Sequence, residues 1–131
     1  MKKIVLEYLR RYPLSCLCVA AVWVLSLMPV PETPLDHVGF IDKWTHLVMY
    51  GGTSASIWVE YLRQHKKPSR KKLLLLGWLA PVLMGGLLEL IQATCTGGRR
   101  NGDWLDFVAN SVGATLTLCV GILWVWYRAR R

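Results

Sequence analysis

Apolar residues run along this chain in four long blocks, each bounded by charged or proline-rich stretches. The first, about residues 13–28, follows Lys2, Lys3, Arg10 and Arg11 and ends at Pro29, Pro31 and Pro34. The others cover about residues 44–62, 73–93 and 104–127. A helix needs about 20 residues to cross the hydrocarbon core of a bilayer, so these lengths predict transmembrane helices. The expected fold is all-α: a polytopic membrane protein, a four-transmembrane-helix bundle forming a single domain over residues 1–131. The first block has the basic start and short apolar centre of a signal peptide. Ser26-Leu27-Met28-Pro29 offers no small-residue pair for cleavage, so the block is expected to stay as a helix. Trp44, Trp104, Trp124, Trp126 and Tyr127 fall near the expected ends, where amphipathic rings favour the headgroup level. Pro81 removes the hydrogen bond to Gly77 and predicts a kink in the third block. Gly85 and Gly86, and the series Gly113, Thr117, Gly121, predict close helix contacts.

Three polar stretches break the apolar pattern: Asp42-Lys43-Trp44-Thr45-His46, Glu89-Leu90-Ile91-Gln92, and Arg99-Arg100-Asn101-Gly102-Asp103-Trp104-Leu105-Asp106 continuing to Asn110. Their spacing is helical. Asp42, His46, Tyr50 and Thr53 form one stripe, Gly85, Glu89 and Gln92 a second, and Asp103, Asp106, Asn110, Gly113 and Thr117 a third. Charge sets an orientation for them. The N-terminal arm, the loop over residues 63–72 and the tail hold thirteen of the sixteen Lys and Arg residues. Lys43, Arg99 and Arg100 are the rest, so the positive-inside rule puts both termini and the middle loop in the cytoplasm. All three polar stretches then meet at the extracytoplasmic face. Polar groups at that depth turn towards one another rather than towards lipid.

Composition fits this picture. Of 131 residues, 53% are hydrophobic and seven are Trp, too apolar a mix for an ordinary soluble domain of this size. The net charge of +8 is explained by basic residues flanking apolar blocks, so no nucleic-acid partner is expected. Cys16, Cys18 and Cys119 lie inside apolar blocks and Cys95 near a loop, which is no disulfide framework.

Bland readings stand beside the functional ones. Asp42 and Asp103 are equally suited to capping the helices that follow them. Arg99 and Arg100 fit ordinary headgroup-level charges, and His46 taken alone fits a satisfied buried histidine. Glu60 has Arg63 one turn on as a partner. Glu89 is harder to dismiss, because an acid inside an apolar block needs a partner from elsewhere in the fold.

The same residues resemble the VanZ-like family of small bacterial membrane proteins, named for an accessory protein of teicoplanin (glycopeptide) resistance. The resemblance rests on residues 42–46 with Tyr50, on residues 89–92, and on residues 99–110 with Gly113, and it covers about residues 40–121. Gly97-Gly98-Arg99-Arg100 departs from a proline-containing approach to the arginine, which leaves open whether Arg99 or Arg100 is the equivalent one. The resemblance implies a protein of the bacterial inner or plasma membrane with a link to the cell envelope, and it supplies no reaction.

The expected function is binding, with processing as an extension, of an anionic lipid head group or lipid-linked cell-wall precursor. Lys43, Arg99 and Arg100 suit phosphate or carboxylate. His46, Glu89 and Asp106 are the candidate catalytic residues, with His46 and Glu89 suited to general acid/base work. Asp42, Asp103, Asn110, Gln92 and Tyr50 complete the binding set. No activated Ser or Cys motif accompanies them. The alternative is a non-catalytic scaffold whose polar cluster is a structural network. A metal ranks last, since no His-x-x-x-His spacing supports one, and neither a metal nor a cofactor is expected. Membrane lipids are the expected partners, and the oligomeric state is open.

Overall fold

The computed structural model describes residues 1–28, 41–95 and 104–131, except the side chains of residues 41 and 42. The described residues form helices and no strand: α1 (Lys2–Arg11), α2 (Pro13–Leu27), α3 (Ile41–Gln64), α4 (Arg70–Leu74), a π-helical turn (Leu75–Leu79), α5 (Ala80–Thr94) and α6 (Trp104–Arg130). Arg70–Thr94 makes one run of 25 residues and α6 one of 27, both long and apolar enough to cross a membrane. A third candidate span exists if α1 and α2 are counted together, although they are bent by 104°. The bend has a local cause. Pro13 disfavours helical geometry in the residue before it, and Tyr12 sits at φ −128°, ψ 55°. The chain is therefore all-helical, with two to three candidate membrane spans where the sequence pattern suggests four. At 24 residues α3 has the length, but its polar positions leave it short of the apolarity of the others.

Beside an apolar core that includes Val22, Tyr50, Trp58, Leu73 and Leu88, the interior holds many polar groups. The buried residues include Ser15, Ser26, His46, Thr53, Ser54, Ser56, Glu60, Glu89, Gln92, Asp106 and Asn110. Leu83, Leu87, Leu90, Val112, Leu116, Val120 and Leu123 point outwards. Apolar patches on this scale mark contact with a membrane or a partner.

α3 and α6 pack backbone to backbone. A Cβ on Gly51 would lie 3.3 Å from the Gly113 carbonyl oxygen, and one on Gly113 would collide with the Leu47 carbonyl. The Thr117 hydroxyl donates to the Gly51 carbonyl at 2.9 Å. Farther along, the indole of Trp58 fills the space that Gly77 and Gly121 leave open, so a Cβ on either glycine would run into the ring. Where the sequence predicts a kink at Pro81, the helix carries a π-turn within the continuous run Arg70–Thr94. The Ala80 N–H reaches the Leu75 carbonyl, a widened turn that makes room where the proline ring would crowd Gly77.

α2 is fastened at both ends by side chains from other helices. Glu60 of α3 accepts the Leu14 N–H at 2.7 Å, the Ser15 N–H at 3.1 Å and the Ser15 hydroxyl at 2.6 Å. At the other end Gln92 of α5 donates to the Ser26 carbonyl at 2.6 Å. The partnership of Glu60 with Arg63 expected from sequence is thus replaced by a cap on α2, whose first amides lack intrahelical acceptors.

Candidate functional site

The start of α3, the end of α5 and the start of α6 lie at one end of the structure, which brings the polar stripes together. Lys43 and His46 come from the first two turns of α3, Glu89 from near the end of α5, and Asp106 and Asn110 from the start of α6. His46, Glu89 and Asp106 are buried, and Asn110 is fully enclosed at 0% exposure. The close approach at Gly113 sets how near the α3 and α6 side chains come.

Asp106 is the hub. One carboxylate oxygen, Oδ1, accepts from Lys43 Nζ at 2.5 Å, and the other, Oδ2, lies 3.5 Å from His46 Nε2. The opposite ring nitrogen, Nδ1, is 2.9 Å from Asn110 Oδ1. With the amide oxygen facing it, Nδ1 carries the proton and donates, which directs Nε2 towards Asp106. The imidazole is near-parallel to the Tyr50 ring, with centroids 6.4 Å apart. Glu89 completes the group: one donor atom each from His46, Glu89 and Asp106 lies within 4.8 Å of the others. Lys43 is the more open member, its side chain a quarter exposed. The Asn110 Nδ2 has no hydrogen-bond partner among the described residues and faces Gly85, whose Cβ would sit 2.9 Å away.

This arrangement can hold a proton between His46 and a carboxylate, present a lysine cation to an anion, or gather three donors on a cation. Of the residues expected at the site, Lys43, His46, Glu89, Asp106 and Asn110 come together, with Tyr50 stacked behind His46. Gln92 instead has its amide on the end of α2, which gives it a packing role alongside its place on the same stripe. Arg99, Arg100, Asp103 and the side chain of Asp42 lie outside the described residues. Sequence reasoning missed Ser15 and Ser26, whose partners come from helices far along the chain. Two grooves of about 560 Å³ and 390 Å³ flank Trp58 at the other end, away from the cluster.

In comparisons of the chain with family models, curated proteins and solved structures, nothing matches.

Proposed function

We propose that this chain is a VanZ-like integral membrane protein of the bacterial inner or plasma membrane. Its polar cluster faces the extracytoplasmic side and binds an anionic lipid or a lipid-linked cell-envelope intermediate. One observation carries this reading: Lys43, His46, Glu89, Asp106 and Asn110 meet in the interior of a helical structure whose outer surface is apolar. Ionisable groups in such a setting are expensive and mark functional sites by default.

The proposed fold is a four-transmembrane-helix bundle formed by α2, α3, Arg70–Thr94 and α6, with both termini cytoplasmic. α3 joins the spans because its 24 residues, rising about 1.5 Å each, reach about 36 Å, and its polar stripe turns inwards. The distribution of Lys and Arg supports the orientation. Lys43 supplies a cation for phosphate or carboxylate, and Arg99 and Arg100, a few residues before α6, add guanidinium forks. His46 and Glu89 are the groups for general acid/base chemistry on a bound ligand. The connection with glycopeptide (teicoplanin) resistance rests on the sequence resemblance alone.

Binding is tested with purified protein exchanged into phosphatidylcholine nanodiscs and offered phosphatidylglycerol, with retained lipid counted by native mass spectrometry. Phosphatidylglycerol stays on the wild type and is lost from Lys43→Gln combined with Arg99→Gln and Arg100→Gln. Gly52→Ala, where a Cβ meets nothing within 4 Å, retains it. Equal retention by all three proteins contradicts the reading.

A second reading, a non-catalytic scaffold, is favoured by the pairing of Asp106 with both Lys43 and His46. It predicts that alanine at His46 or Glu89 lowers abundance and melting temperature. Loss of function in stably folded variants favours the binding site.

A further inference from the structure

We infer that His46, Glu89 and Asp106 form a site for one divalent transition-metal ion, with zinc the best match. The inference deepens the function proposed above and rests on that reading only for the face of the membrane on which the site opens. Sequence spacing argues against a metal because the three donors come from α3, α5 and α6. Folding removes that objection by placing one donor atom of each within 4.8 Å of the other two. Tetrahedral zinc with bonds near 2.1 Å separates its donors by roughly 3.4 Å, so the side chains close by up to about 1.4 Å on binding.

The atoms facing away from the meeting point carry the inference further. A metal-bound imidazole usually donates its other N–H to a fixed acceptor, and a metal-bound carboxylate is itself hydrogen-bonded. Both conditions are met here. Asn110 Oδ1 accepts from His46 Nδ1 at 2.9 Å, which leaves the Nε2 lone pair for a cation. Lys43 engages Oδ1 of Asp106 at 2.5 Å, leaving Oδ2 on the same side as Nε2. The Nε2-to-Oδ2 separation of 3.5 Å is long for a hydrogen bond and close to the spacing of two donors on one zinc ion.

One imidazole and two carboxylates suit zinc, with manganese as the harder-ligand alternative. Three protein donors leave a fourth position, where a water or a phosphate oxygen of an anionic ligand binds. His46 and Glu89 then act as ligands, in place of the acid/base work open to them without a metal, and Asn110 is a positioning residue.

The test uses full-length protein in detergent, stripped with chelator, equilibrated with zinc chloride and no added lipid, desalted, and measured by plasma mass spectrometry. The wild type retains one zinc per chain. Glu89→Gln and His46→Gln lose it, and Asn110→Ala binds about 10–100-fold more weakly. A variant combining His65→Gln with Cys95→Ser, neither of them among the three donors, keeps full stoichiometry. X-ray absorption at the zinc edge of the wild type gives a result independent of how the variants fold: one imidazole with oxygen donors and no sulfur. No zinc on the wild type, equal zinc on the Glu89 and His46 variants, or a sulfur-ligated zinc overturns the inference. Protein that retains phosphatidylglycerol but no zinc overturns the metal alone and leaves the proposed function standing.

Discussion

Glu60 carries its carboxylate into the interior to receive the amides at the head of α2. Pro13 brings no N–H of its own to that helix start and Tyr12 gives no side-chain cap, so the acceptor comes from α3. Removing a carboxylate cap costs about 0.5–2 kcal/mol, and a buried hydroxyl left without its partner adds to the loss. Glu60→Ala therefore lowers the melting temperature in detergent, and Glu60→Gln does so less. An Arg63→Gln control leaves it unchanged, since Arg63 takes no part in the cap. Equal melting of Glu60→Ala and wild type contradicts this role. The sequence could not reveal the cap, because the partners are 45 and 46 residues apart and a helical-spacing argument looks only along one helix. The stripe of His46, Tyr50 and Thr53 was legible for the same reason: its members share one helix, and all three are buried.

At the scale of elements, the long apolar blocks were readable because hydrophobic length is a local property. α2 covers Pro13–Leu27, and Arg70–Thr94 contains the block expected over residues 73–93. α1 was missed as a helix. Its charges, Lys2, Lys3, Arg10 and Arg11, signal topology first, while Ile4, Val5, Tyr8 and Leu9 form an apolar face on the same ten residues. None of those ten residues is buried, and the 104° bend turns α1 away from the line of α2. Under the proposed topology α1 lies along the cytoplasmic leaflet as an interfacial helix. Nitroxide labels at residues 5 and 8 are then expected deeper in anionic vesicles than labels at residues 3 and 7. Equal depths, or labels all in water, contradict it. The π-turn was only half legible: Pro81 announced a disturbance, but neither its π form nor the packing of Trp58 against Gly77 beside it follows from local spacing.

At the scale of the molecule, large apolar side chains cover much of the outside, and three helix ends bring His46, Glu89 and Asp106 together in the interior. The sequence pointed to that place through periodicity combined with charge asymmetry. It could not supply the roles, because Asp106 as hub and Asn110 as the acceptor for His46 depend on contacts between helices. The central claim is that this cluster opens on the extracytoplasmic side. Cys95 is exposed at the end of α5 next to the cluster, so it reports on that side directly. The decisive measurement is labelling of intact cells with a membrane-impermeant maleimide, using a protein in which Cys16, Cys18 and Cys119 are serine. The account predicts that Cys95 reacts in intact cells. A partner protein that also carries Cys95→Ser and Lys67→Cys is expected to react only after permeabilisation. Protection of Cys95 together with labelling at position 67 in intact cells would place the cluster in the cytoplasm and contradict the account.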